Sequence, residues 1–399
     1  MVFPASGWIS EMTGAALSID GLLTQARAAT GLDDLGDDWF MEPLTRLVEE
    51  TNADAGLIAT DAGAGQRIQG ALMDRLALVQ YFKDHPETAN EQIEPACAII
   101  GLPRTGSTVM HRLLASAPKL TSHFWWETCF PLPFPDEKSG DPSPRIQMAH
   151  QVVDQLLTEW PDFESIDPIE AEAVAEEVIL LDRTFLSTTY DSMMPIPNYG
   201  FWQAEQDHEP AYRDLLKFLQ VIQHQRGGER KKWVLKTPHH LLGGMNGLLA
   251  IFPDIKLVMT HRNVGQVLPS YCSMCASLSI NASTTYDPLQ QGAYWTKRFS
   301  EGLKRFEKLR ATLPEDQVVD VRYEDTVSDP IGTSENVMNA IGLDFGDPEK
   351  QAMEDCIANN VRGKRPKHKY SAEQFGLTAE GIAGDFAAYH EKYLAGDEA

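Results

Sequence analysis

Apolar positions divide the chain into three stretches of different period. From about residue 10 to 90 the spacing is helical: Leu72, Leu76, Val79 and Phe82 share a face before the break at His85-Pro86. Ala96-Cys-Ala-Ile-Ile-Gly101 is then a continuous apolar run between Pro95 and Pro103, the pattern of a strand buried on both faces. A helical face follows at once through Val109, Met110, Leu113, Leu114 and Ala117. Residues 143–226 again read as helices. One stripe runs through Val174, Val178, Leu181 and Phe185 on a very acidic helix, and Pro210 suits a first turn ahead of Tyr212, Leu215, Leu216 and Leu219.

Strand signals return at 233–237, 255–262 and 318–323, separated by helices at about 239–251 and from about 264. Short apolar strands alternating with helices predict an α/β fold: a P-loop-type parallel sheet flanked by helices. The division expected is a helical N-terminal segment over 1–90 and an α/β domain over 91–399, with a helical insertion at about 140–226. Ligands of such sheets bind where strands end and helices begin.

Charge narrows the candidate ligands. There are 34 Lys and Arg against 58 Asp and Glu, a net −24. Nucleic acid and anionic membrane are therefore poor partners, and an anionic ligand would need a locally positive site. The five cysteines are odd in number and scattered, which argues against a disulfide framework. Cys272-Ser-Met-Cys275 lacks a second half for zinc. With no basic-then-apolar N-terminus and no apolar run near 20 residues, the expectation is a cytoplasmic protein.

Three strand ends carry the candidate chemistry. Gly101-Leu-Pro-Arg-Thr-Gly-Ser-Thr108 has the form of a phosphate loop, a glycine turn leading into a helix N-terminus. Its eight residues match G-x-x-x-x-G-K-[ST] except at the lysine, which is Ser107, while a cation stands earlier at Arg104. That difference disfavours kinase or NTPase chemistry, which remains the first alternative. The second junction, Leu235-Lys-Thr-Pro-His-His240, places Lys236 where it can face the same anion as Arg104. His239 and His240 are adjacent, so they do not face one another, and no third ligand is spaced to make a metal site. The third, Thr260-His-Arg262 with Ser270 about two turns on, offers a guanidinium fork suited to phosphate.

Taken in this order, the motifs resemble the PAPS-dependent sulfotransferases, specifically a bacterial subgroup with a Pro-Arg-[ST]-Gly-[ST]-Thr phosphosulfate loop related to the tyrosylprotein sulfotransferases. Trp126-Glu127, Phe252-Pro-Asp254, Arg322-Tyr-Glu-Asp325 and His368-Lys-Tyr-Ser371 extend the likeness over roughly residues 67–393. The resemblance implies that Arg104, Thr105, Gly106, Ser107 and Thr108 hold the 5′-phosphosulfate of PAPS. It gives the 3′-phosphate to Arg262 and Ser270 and the adenine to Tyr323. A late basic segment completes the 3′ site in the family; Arg362–Lys369 packs five cations and no acid into eight residues, with Lys364 and Arg365 at its centre.

Arg104 and Lys236 would neutralise charge in an in-line transfer that needs no metal. The base is expected at Glu127, where the tyrosylprotein enzymes have a glutamate, with His239 as substitute, because Pro238 stands where many cytosolic relatives have histidine. Trp160, Phe163, Tyr190, Tyr199, Phe201 and Trp202 in the insertion would be core in the first instance and an acceptor pocket in the second. The partner is then a small-molecule acceptor bearing a hydroxyl or amine, and a homodimer is left open. A non-catalytic binding module, and sulfation that drives elimination or cyclisation, are the remaining alternatives.

Overall fold

The computed structural model describes residues 16–53, 62–160, 169–279, 283, 285–359 and 370–395. Its centre is a five-stranded, wholly parallel sheet: β1 (Pro95–Gly101), β2 (Leu120–Thr121), β3 (Lys232–Lys236), β4 (Lys256–His261) and β5 (Val318–Arg322), in the order β2-β3-β1-β4-β5. The predicted strands at 96–101, 233–237, 255–262 and 318–323 all form within a residue or two. β2, only two residues long at the sheet edge, carries too little pattern to be seen in the sequence.

Alternation along β1 supplies two cores. Cys97 and Ile99 face Met110, Leu113 and Leu114 of the helix Ser107–Ser116 and Val337 and Met338 of the helix Pro330–Ala340. Ala98 and Ile100 face the other side, with Leu215 and Leu219 of the helix Glu209–Arg226 and Leu268 of the helix Val264–Ser279. Both faces of β1 are covered, which is why its run is apolar without alternation. Register sets the site: Gly101 lies opposite Thr260 and Ile99 opposite Lys236, so β1, β3 and β4 deliver their C-terminal loops to one edge. β1 is also where the strand order reverses, and that reversal opens the crevice between the loops.

The N-terminal helices Ile19–Thr30, Met41–Ala53 and Ala62–Asp84 share a core with the insertion through Leu22, Leu44, Leu72, Phe185, Tyr190 and Tyr199. Tyr190 and Tyr199 are fully buried there, which settles them as core. The acidic helix expected through Val174–Phe185 is broken. Only Val178–Leu181 is α-helical, followed by a 3-10 turn at Asp182–Thr184, while Val174 bridges Phe124. Pro210 does sit in the first turn of its helix. None of the helices among the described residues is long and apolar enough to cross a membrane.

Candidate active site

The loop after β1 turns on two left-handed positions. Gly106 (φ 83°) caps the helix Ser107–Ser116, and Arg104 takes φ 67°, a conformation that disfavours a side chain. Arg104 is held there because Arg262 Nη1 donates to its carbonyl at 2.8 Å. Gly106 has no room for a Cβ, which would come within 2.8 Å of the Tyr323 ring. The Thr105 hydroxyl is spent inside the fold, 2.7 Å from the Leu102 carbonyl and 2.6 Å from Thr260 Oγ1. Its expected contribution to an anion site therefore falls to its N–H. Among the described residues the backbone N–H groups of Thr105, Gly106, Ser107 and Thr108 make no hydrogen bond, and they open a helix N-terminus suited to an oxyanion.

Cations from the other two junctions converge on this loop. Lys236, 3% exposed at the end of β3, donates from Nζ to Thr108 Oγ1 at 3.2 Å and pairs with Glu176. Arg104 Nε donates to Ser270 Oγ at 3.2 Å, and the Arg262 guanidinium stacks 3.9 Å over the Tyr323 ring. Arg104, Gly106, Thr108, Lys236, Arg262, Ser270 and Tyr323 thus form one constellation across four loops. Lys364 and Arg365 lie outside the described residues.

Behind Lys236 is a buried relay. Its backbone N–H donates to Glu177 Oε2 at 2.9 Å, His240 Nε2 donates to Glu177 Oε1 at 2.7 Å, and Tyr212 donates to His240 Nδ1 at 2.5 Å. Burial alone would raise the Glu177 carboxyl. The His240 hydrogen bond, the fields of His240 and His123 and the Lys236 N–H outweigh it and bring it down to about 2. A second carboxylate beside the loop, Glu176, is a third exposed and meets Lys236 directly.

The two expected bases, Glu127 and His239, are both buried and hydrogen-bonded. Glu127 lies in the first turn of the short helix Trp125–Cys129, where it accepts from the Phe124 N–H at 2.7 Å. Its oxygens also receive Arg226, Nε at 2.7 Å and Nη2 on the other side, so a 2%-exposed carboxylate is fully engaged in holding the segment after β2. His239 is fully buried, accepts from the Thr188 N–H at 3.3 Å, and packs against His208 and Tyr212. Burial first, then the nearby His208, His240 and Arg298, keep its ring well below the usual range and neutral. Cys272 and Cys275 are buried thiols pushed up by desolvation, and no group of three or more metal-ligating side chains occurs among the described residues. Glu176 escaped sequence reasoning because it sits in an acid-rich stretch whose period suggested a solvated helix.

The site is thus a nucleotide-type loop without its lysine, with cations arriving from β3 and β4. Residues 95–347 match the model of the sulfotransferase family, and the chain belongs to it. It is 24% identical over 294 residues to the omega-hydroxy-beta-dihydromenaquinone-9 sulfotransferase Stf3 of Mycobacterium bovis, covering 72% of this chain and 73% of that one. Among solved structures it is similar to sulfotransferase STF1 from Mycobacterium tuberculosis, with a TM-score of 0.82, 30% identity and coverage of 94% and 100%. Sulfotransferase STF9 from Mycobacterium avium also superposes at 0.82, with 22% identity and coverage of 96% and 98%.

Proposed function

We propose that the chain transfers a sulfuryl group from PAPS to a hydroxyl (or amine) of a small or medium-sized acceptor, in the cytoplasm. The observation that carries this reading is the convergence of Arg104, Lys236, Arg262 and Ser270 on a loop with unpartnered N–H groups, a cationic site in a chain of net −24. The residues fit the donor. The N–H groups of 105–108 with Arg104 and Lys236 suit the phosphosulfate, Arg262 and Ser270 the 3′-phosphate, and the Tyr323 ring the adenine. PAPS supplies the sulfuryl group, and PAP is the product.

Catalysis in such a transfer rests on positioning and on charge already in place. Lys236 is immobilised by Glu177 at its backbone and by Thr108 at its Nζ, so its charge is aimed before the donor arrives. The proton of the acceptor hydroxyl goes to Glu176. It is exposed enough to meet an acceptor, and it gives up part of its Lys236 pairing when an anion takes that cation. Glu127 and His239 keep structural roles.

The test is transfer of labelled sulfur from PAPS to an acceptor pool in chelator, with wild type, Lys236→Ala and Glu176→Gln. Transfer by wild type, and loss in both variants with the fold intact, supports the reading. Transfer that requires magnesium and ATP, or full activity of Lys236→Ala, overturns it.

A further inference from the structure

A second cavity, of about 440 Å³, opens beside the distal end of the helix Val264–Ser279. That volume lies in the range of small-molecule sites. Its walls combine three aromatic rings, Tyr286, Tyr294 and Trp295, with three carboxylates, Glu50, Asp191 and Asp287. Among the described residues no Lys, Arg or His lines it. Two of the acids are held from outside the cavity, Glu50 by Arg46 at 2.7 Å and Asp191 by Arg298 at 3.6 Å, while Asp287 caps the helix Pro288–Arg310.

Asp191 is the informative residue. It is 5% exposed, and its Oδ2 accepts from the Tyr294 hydroxyl at 2.5 Å, but its Oδ1 is buried with no hydrogen-bond partner. A buried carboxylate oxygen left unpaired costs about 1–3 kcal/mol unless something outside the protein meets it. Burial pushes this carboxyl up against the opposing pull of Arg298 and Tyr294, so a cation brought beside the carboxylate from the cavity would hold it ionised.

The cavity is also tied to the transfer site. Ser270, bonded to Arg104, and Ser279, in the cavity wall, are nine residues apart on one helix, about 14 Å. Tyr271 contacts Ser192, the neighbour of Asp191, at 2.7 Å.

We propose that this cavity is a distal acceptor subsite for an organic cation, a protonated amine or quaternary ammonium held by Asp191 against the three aromatic rings. The inference rests on the sulfuryl-transfer reading for its link to the acceptor. It gives the enzyme opposite electrostatics at its two ends, cationic for the donor and anionic for the acceptor's far group. An acceptor bearing an ammonium would be selected over a neutral or anionic analogue of the same shape.

The probes are benzylamine, benzyl alcohol and benzoate, nearly isosteric and differing in charge, titrated calorimetrically into the full chain with PAP titrated separately. Benzylamine should bind at least about tenfold more tightly than benzyl alcohol, with no binding of benzoate. Asp191→Asn should weaken benzylamine about tenfold with PAP affinity unchanged, and Glu50→Gln should weaken it by a smaller factor. Should Asp191→Asn lose PAP binding through misfolding, Glu50→Gln decides. Equal binding of the three probes, or unchanged benzylamine affinity in variants that still bind PAP, would overturn the subsite. If PAP fails to bind wild type while benzylamine binds, the donor reading has failed and the cation site has not.

Discussion

Replacing Glu127 by Gln separates a structural carboxylate from a catalytic one. Glu127 receives two nitrogens of Arg226 and the Phe124 N–H while 2% exposed. Removing its charge leaves Arg226 without a counterion. A fully buried pair broken in this way costs about 3–5 kcal/mol; the Arg226 side chain is 25% exposed, so about 2–3 kcal/mol is expected. At roughly 2.1 cal/mol/K of unfolding entropy per residue, the 399-residue chain gains about 0.8 kcal/mol/K on unfolding, and the melting temperature should fall by about 2–4 °C. Arg226→Met should cost a similar amount, and the double variant less than the sum of the two, because the partners are coupled. PAP release from PAPS, with acceptor present, should stay within a few-fold of wild type. A hundredfold loss of turnover at unchanged melting temperature would refute this reasoning and return Glu127 to the role of base.

Three further outcomes follow from the same geometry. Glu176→Gln should lower kcat by about 10²–10⁴-fold while PAP affinity holds or rises, because Lys236 is freed for the anion; kcat within tenfold of wild type would exclude Glu176 as the proton acceptor. Gly106→Ala places a methyl 2.8 Å from the Tyr323 ring at φ 83° and should weaken PAP about tenfold, with strain of about 1–2 kcal/mol; unchanged affinity would mean the loop and Tyr323 do not act together. Glu177 titrates near 2 in the fold against an ordinary 4.5, so its contribution is complete above pH 4.5 and is lost as pH falls toward 2. Melting curves of Glu177→Gln should therefore be flatter over that window than those of wild type, and parallel curves would contradict the relay.

Where one strand end carries one chemical group, the sequence was legible. β1 announces itself because both its faces are buried, and the residues after β1, β3 and β4 name Arg104, Lys236 and Arg262 because a chain leaving a parallel strand has to pass the same edge. Contacts between residues distant in sequence were not legible. Glu127 meets Arg226 ninety-nine positions away, and Glu176 meets Lys236 sixty positions away, so neither ion pair could be read from local pattern. The Val174–Phe185 stripe misled because helical spacing of apolar residues also arises when a chain turns repeatedly against a core. Thr105, in the right motif, turned out to secure the loop to β4 by its hydroxyl.

The most direct test of the central claim is a calorimetric titration of PAP, beside ADP with magnesium, into wild type and Arg262→Ala. Arg262 joins the Arg104 carbonyl to the Tyr323 ring. Losing its charge-assisted phosphate contacts should weaken PAP by about 1–3 kcal/mol, roughly 5–150-fold. The account predicts that PAP binds wild type, that ADP with magnesium does not compete, and that the variant is weakened by that factor. PAP binding no tighter than ADP, or equally tight in Arg262→Ala, would contradict it.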